Sequence, residues 1–400
     1  MANILQLCVK VPYPPHDGGS IAMYNIQRAI TENEVTLKVL TFNTIKQMVD
    51  LNEFDEDYKT MTRIEGVYLD NRIKPFAAIL NLFTSESYNI IRFIRQEFEQ
   101  KLIEILVNEE FDVIQLESLY MVPYIETIRR YSKAKVVLRT HNIEHLIWQR
   151  LAMNATNPLR RWYLNLLYRR LKHYEIGALN RVDAIAALTR EDKEQLMAMG
   201  ATVPIHVAPI GVDLKNYPCL SMPEGNMLFH LGAMDWLPNQ EGIKWFLQEV
   251  WPKLSVDRPE VRFKFAGKRM PPAFFNFKSD RVSVSDKVES IESYFADGKL
   301  MVVPLFSGSG MRVKIIEGMA FGKAIITTSI GLEGIPAIDG QEVIIANTPD
   351  EFIAKIKHAL SHPELLILIG NNARKMVETK FYNRKIGAEL LSFYQNLSKN

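Results

Sequence analysis

Short apolar runs alternate with longer amphipathic stretches along this chain, and the alternation stops near residue 210 and then begins again. In the first half, "NILQLCV" (3–9), "EVTLKVLTF" (34–42), "DVIQLES" (112–118), "KVVLRTH" (135–141) and "DAIAALT" (183–189) read as strands. Between them lie helical patterns, among them "SYNIIRFIRQEFEQKLIEILVNEEF" and "NPLRRWYLNLLYRRLKHYEIGALNRV". Strands joined by helices of this length build parallel sheets covered on both faces. A stretch rich in turn formers, "IGVDLKNYPCLSMPEGN", separates this half from a second one. There "MLFHLGA", "VRFKFAG", "LMVVPL", "AIITTS" and "EVIIA" are the strands, with "NQEGIKWFLQEVWPKL", "VESIESYFADG" and "PDEFIAKIKHALS" as helices. The expected fold is α/β, two Rossmann-like doubly wound parallel-sheet domains. Ligands of such sheets bind at the carboxyl ends of the strands, so the cleft between two halves is the expected site.

Composition narrows the classes. A formal net charge of +2 over 400 residues gives no footprint for nucleic acid. Cys8 and Cys219 stand far apart with no C-x-x-C pair, which fits a reducing, cytoplasmic compartment and excludes a cysteine-built zinc site. The start "MANILQLCVKVPYPP" reads as a first strand rather than a signal peptide. No apolar run approaches the roughly 18 residues of a membrane span.

The segment "FSGSGMRVKIIEGMAFGKAII" (306–326) carries the strongest chemical signal. Its helix is expected to begin near Gly310 or Met311, after the strand "LMVVPL". A helix start favours anions through its free N–H groups and dipole. Arg312 and Lys314 are unfavourable there unless a phosphate occupies the loop, which Gly308 and Gly310 let approach closely. The alternative is a solvated helix start with a Lys314–Glu317 surface pair. Glu317, one turn further on, has the place from which a carboxylate accepts ribose hydroxyls; its alternative is an exposed helix acid.

With this block in view, the chain resembles the family 4 retaining glycosyltransferases of the two-domain GT-B fold, especially bacterial enzymes of surface-polysaccharide synthesis whose blocks run "GxGxRxKxxExMAxGKxxxxT". The likeness also takes in "PYPPHDGGS", "RTHNIEH" at 139–145, "IGVD" at 210–213 and "GAMDWLPNQEGIKWF" at 232–246. It implies an acceptor-binding domain over 1–209, a nucleotide-sugar-binding domain over 210–377, and a C-terminal helix (about 378–400) packed back on the first. It implies donor contacts from Gly18, Gly19, Gly211, Ser309, Gly310 and Met311, with the helix after the glycine pair capped by Ser20. His141 would stand beside the transferred sugar, with Asn142 and Glu144 in the same loop binding substrate or fixing the loop. Arg312, Lys314 and Glu317 would complete the catalytic set. Two positions depart from the family: the first acid of its two-glutamate motif is Ser309, and its Arg and Lys after the first strand of the second domain are replaced by Ala233 and Asn239.

The chemistry so implied is transfer from a nucleoside-diphosphate sugar to a glycan or lipid-linked acceptor, with no metal and no further cofactor. Arg312 and Lys314 would neutralise the departing diphosphate, while Ser309 and the N–H groups of Gly310 and Met311 hold sugar hydroxyls. "RIKPFAAILNLF", "YNIIRFIRQEF" and "PLRRWYLNLLYRRLKHYE" mix basic, aromatic and aliphatic residues. They are either ordinary amphipathic helices or a surface for anionic lipid on the inner face of a membrane. A Rossmann oxidoreductase would need G-x-G-x-x-G where the chain has "VPYPPHDGGS". A sugar-nucleotide epimerase or hydrolase and a non-catalytic sugar-nucleotide binder are the remaining alternatives.

Overall fold

In the computed structural model, which describes residues 2–15, 17–72, 80–307 and 310–398, the strands assemble into two wholly parallel sheets. The first has the order β3-β2-β1-β4-β5-β6-β7, with β1 Ala2–Cys8, β2 Val35–Thr44, β3 Glu65–Leu69, β4 Val113–Glu117, β5 Lys135–Thr140, β6 Ala184–Ala187 and β7 Ile205–Val207. The second has the order β10-β9-β8-β11-β12-β13, with β8 Met227–Leu231, β9 Arg262–Ala266, β10 Val282–Ser285, β11 Leu300–Val303, β12 Ala324–Thr327 and β13 Ile344–Ile345. Strand order reverses between β1 and β4 in one sheet and between β8 and β11 in the other. Those reversals open crevices at the carboxyl ends, where sequence-remote residues meet.

Contacts divide the chain into two units, Met1–Gly211 with Asn383–Asn400, and Val212–Tyr382. In the first, helix Gly18–Thr31 packs on the sheet beside helix Asn383–Ser398. Together they bury Met23, Ile26, Ile30, Ile386, Leu390 and Tyr394. The opposite face is filled by Phe42, Phe98, Leu102 and Leu116. In the second, Phe246, Phe263, Phe352, Ile326 and Leu366 form the core. Among the described residues no helix is long and apolar enough to cross a membrane.

The sequence pattern misses β3, β7 and β10, and all three are edge strands. An edge strand is short and half-wet, so it lacks the apolar run of a central one; β3 alternates exposed and covered residues until Leu69. Two helices are also more broken than their periodicity predicts. The stretch 87–111 divides into Tyr88–Ile91 and Gln96–Asn108, because the Tyr124 hydroxyl donates to Phe93 O at 2.6 Å and accepts from Arg95 N at 3.0 Å. The helix from Leu237 passes through a π turn, Phe246–Val250, before Trp251–Asp257. Pro252 lacks an N–H and its ring cannot sit against an α-helical carbonyl one turn back, so the wider turn accommodates it.

Candidate functional site

In the second unit the candidate polar groups gather where β8 and β11 end. The helix that follows β11 runs Val313–Ala320, with Arg312 at its N-cap. The start expected at Gly310 or Met311 is therefore corrected: Gly310 takes φ +79 and Arg312 φ −88, ψ 89, neither of them helical. The Arg312 side chain, 4% exposed, folds back so that Nη1 donates to Gly310 O at 2.6 Å, and its guanidinium lies 5.5 Å from the Trp236 ring centre. Glu333 stands 3.9 Å from Nη2. Arg312 thus braces the loop that leads into the helix.

Lys314 is half-buried in the first helical turn, and its ammonium donates to Asn239 Oδ1. Burial and then the Arg312 charge lower its pKa to about 7, against a smaller upward pull from Glu317. The surface-pair alternative does not form, because Glu317 takes another partner: its Oε1 accepts from the Tyr217 hydroxyl at 2.9 Å. Burial raises the Glu317 pKa, opposed by the hydrogen bond from Tyr217 and the charge of Lys314. Tyr217 is anchored in turn by Arg374, whose Nη1 donates to Tyr217 O at 2.5 Å and to Ala320 O at the end of the helix. His230, fully buried near the end of β8, completes the group. Its Nδ1–H donates to Val302 O at 2.8 Å, and burial drives its pKa well down, so it is neutral with an acceptor lone pair on Nε2.

In the first unit His141 follows β5 directly, and its Nε2 lies 2.5 Å from Glu117 Oε2. Glu117, at the end of β4, is fully buried and also 3.1 Å from Arg139 Nη1. Gln6 and Gln115 donate to its other oxygen. The chain of contacts runs on from Gln6 to Gln27 and the Tyr58 hydroxyl, and from Gln115 to Tyr394. Burial opposes ionisation of Glu117, but Arg139 and then His141 hold its pKa at about 2. Burial lowers the pKa of His141. A neutral imidazole facing an ionised carboxylate carries its proton on Nε2, which leaves Nδ1 as an acceptor. Ser118, next in the chain, holds φ +103 and ψ 154, a conformation nearly reserved for glycine. Backbone strain of this kind persists where surrounding structure fixes it and clusters at functional sites; here β4 ends with its acid turned toward His141.

Asn142 and Glu144 lie beyond. Glu144 opens helix Glu144–Met153, accepts from the Tyr120 hydroxyl at 2.8 Å and is hydrogen-bonded by Asn142. Burial, with the nearby Glu175 charge, raises its pKa to about 7. The helix has no side-chain cap of its own. Glu175, from helix Pro158–Ala178, supplies one by accepting from the N–H groups of Glu144 (2.9 Å) and His145 (3.0 Å) and meeting His145 Nδ1 at 2.6 Å.

The glycine pair differs from expectation. Gly18 and Gly19 are the first residues of helix Gly18–Thr31, and the cap is Asp17 rather than Ser20. Asp17 Oδ1 accepts from Ser20 N at 2.9 Å while Ser20 Oγ accepts from Asp17 N, a reciprocal capping box in which Ser20 is the third helical residue. Lys10 Nζ, 2.5 Å from Asp17, sits 3.1 Å from where a Gly19 Cβ would be. Gly211 closes the first stretch of the first unit. Its carbonyl accepts from Asn25 Nδ2 at 2.6 Å, and a Cβ there would meet Asn383 Cα at 2.9 Å, so close backbone approach accounts for the glycine. Met311 is buried beside Arg312. Ser309 and Gly308 lie outside the described residues, as do residues 73–79 of the basic, apolar segment. Sequence reasoning passes over Glu117, Arg139, Trp236, Tyr217 and His230. An acid inside the apolar run "DVIQLES" is the one signal that points to any of them. Among the described residues no three His, Cys, Asp or Glu side chains gather as metal ligands.

Two doubly wound parallel sheets, each with polar groups collected at the carboxyl ends of its strands, define the GT-B glycosyltransferase fold. Sucrose-phosphate synthase of Thermosynechococcus elongatus shares it with a TM-score of 0.72 over 99% of both chains at 15% identity. HepE of Anabaena, in complex with UDP-glucose, gives 0.66 over 99% of this chain and 100% of that one at 13% identity. The family model described as Glycosyltransferase Family 4 matches residues 53–216, and the one described as Glycosyl transferases group 1 matches residues 225–362. The chain belongs to the family 4, group 1 glycosyltransferases. It is also similar to an uncharacterized 44.6 kDa protein in the cps region of Klebsiella pneumoniae, at 23% identity over 402 residues, covering 96% of this chain and 98% of that one.

Proposed function

We infer that this glycosyltransferase moves a sugar from a nucleoside-diphosphate donor to a glycan or lipid-linked acceptor, with retention and without a divalent metal, in the synthesis of a cell-surface polysaccharide. Lys314 carries the reading. A half-buried ammonium at the carboxyl end of β8, in the first turn of a helix and beside Arg312, is a costly arrangement unless an anion is bound. A diphosphate there gains Lys314 and the helix N–H groups together. Breaking the anomeric bond leaves charge on the diphosphate oxygens, and cations fixed in advance stabilise it most at the transition state. The departing phosphate takes the acceptor hydroxyl proton, so no protein base is required. Glu317, with Tyr217 holding one oxygen, offers the other to ribose. Within the first unit, Gly18 and Gly19 begin a helix whose N–H groups suit an anion, and His141 offers Nδ1 to a sugar hydroxyl. Ser309 holds a further hydroxyl, with the N–H groups of Gly310 and Met311.

HepE with its UDP-glucose supports a sugar-nucleotide donor, and the cps-region relative supports polysaccharide synthesis. Exposed Met153, Leu159 and Trp162 beside exposed Arg160 and Arg169 support docking of a lipid-linked acceptor or an anionic membrane surface. The test is incubation with UDP-, GDP- and ADP-sugars and a bacterial glycolipid extract in the presence of chelator. Released nucleotide and the anomeric configuration of the product are then measured. Turnover of one donor in chelator, with the donor's anomeric configuration kept, is expected. An inverted product, or turnover only after magnesium or manganese is restored, would contradict the reading.

A further inference from the structure

We propose that Asn239 is a positioning residue that holds the Lys314 ammonium in place with a neutral acceptor, beside a neutral His230, leaving its charge available for the donor's diphosphate. The proposal rests on the reading of Lys314 as a diphosphate ligand. A lysine has a flexible four-carbon stem, and the first turn of a helix repels its charge. Something must therefore keep the ammonium from swinging into solvent. Asn239 is itself buried and fixed, since its Nδ2 donates to Ala233 O at 2.7 Å. That bond fixes the amide plane, and Lys314 Nζ donates to the Oδ1 so presented. His230 is fixed in the same way by its Nδ1–H bond to Val302 O, and among the described residues its buried Nε2 has no hydrogen-bond partner.

Gly232 shows that these groups converge. A Cβ built on it would run into Lys314 Nζ, with Asn239 Nδ2 at 3.0 Å and His230 Nε2 at 3.1 Å. Room for the ammonium therefore exists only because residue 232 has no side chain. The charged and titratable groups around Lys314 are Arg312 and Glu317 from its own segment and His230 from β8, with the Trp236 ring 5.8 Å away. Glu317 is engaged by Tyr217, so the direct contacts aimed at the ammonium are neutral. A carboxylate at position 239 would orient the lysine equally well but cancel the charge that the phosphate needs. That difference gives Asn239 its place here.

The intact protein is tested with its lysine amines 13C-methylated, and the Lys314 resonance is identified by its loss in Lys314→Arg. Its titration is compared in wild type, Asn239→Ala, Asn239→Asp and Gly232→Ala, alongside the affinity of each for UDP, GDP and ADP. Removal of the neutral acceptor should lower the Lys314 pKa, and the new carboxylate should raise it by about one unit or more. Affinity for the nucleotide that wild type binds should fall roughly tenfold or more in Asn239→Ala at pH 8 and recover toward pH 6, where Lys314 is again protonated. In Gly232→Ala the new methyl runs into the tip of the flexible Lys314 side chain and also crowds Asn239 Nδ2 and His230 Nε2 by a few tenths of an ångström, so it should show the same affinity loss. A purely structural Asn239 would leave the titration of the Ala variant at its wild-type position, and that result, or equal titration in the Ala and Asp variants, overturns the proposal. If the titrations shift in opposite senses while no nucleotide binds wild type, the positioning stands and the donor reading fails.

Discussion

Lys314 and Glu117 are both polar groups taken largely out of water, and they are stabilised in opposite ways. Glu117 is ionised because Arg139, His141 and two amide side chains surround it, whereas Lys314 has neutral contacts and a neighbouring guanidinium. The first arrangement is self-sufficient, whereas in the second the opposing charge near the ammonium is that of Glu317. For Glu117 the sign of the pH dependence follows directly. Its folded pKa is depressed from 4.5 to about 2, so its contribution to stability is complete above about 4.5 and is lost as pH falls toward 2. Glu117→Gln leaves Arg139 buried without its acid and should cost about 3–5 kcal/mol at neutral pH. That deficit should shrink between about pH 4.5 and 2, as the wild-type acid becomes protonated too. Denaturant melts of both proteins across this range check it, and a pH-independent difference would show that Glu117 is not held as an anion. At this scale the sequence shows Arg312, Lys314, Glu317 and His141, because each stands in a recognisable block. It hides Glu117 and His230, whose roles arise from partners 22 and 72 residues away.

Elements are positioned here by side chains borrowed from other elements. Helix Glu144–Met153 is capped by Glu175, and helix Val313–Ala320 is closed at its carboxyl end by Arg374, which also grips the backbone of Tyr217. A cation among the last carbonyls of a helix satisfies acceptors that the helix itself cannot. Arg374→Met should therefore cost on the order of 1–3 kcal/mol in urea denaturation. By loosening Tyr217 it should also weaken nucleotide binding through Glu317. Unchanged stability would mean that these bonds merely replace equally good ones to water. Local sequence rules read the central strands and most helices, since burial imposes its period on them. They fail at three of the four edge strands, and at the π turn before Pro252, where the helical pattern continues although the backbone does not. The start at Val313 escapes them as well, because it is decided by the bend at Gly310 and the fold-back of Arg312.

At the scale of the whole molecule, the two-sheet architecture is legible in the sequence because an alternating strand–helix pattern interrupted once and resumed has few other solutions. The return of Ile386, Leu390 and Tyr394 to the core beside Met23 and Ile26 joins the chain's far end to its beginning, a contact that no local pattern encodes. Each unit carries its polar groups at the carboxyl ends of its strands, as the doubly wound fold requires. The central claim is that the second unit holds a nucleoside diphosphate through Lys314. It is tested most directly by calorimetric titration of the intact protein and of Lys314→Ala with UDP, GDP and ADP in chelator at pH 6.5. One nucleotide should bind wild type, and its affinity should fall roughly tenfold to a hundredfold in the variant, the worth of about 1.5–3 kcal/mol for a hydrogen bond from a charged donor. Equal affinity of the two proteins for that nucleotide, or no binding of any of the three to wild type, would contradict the account.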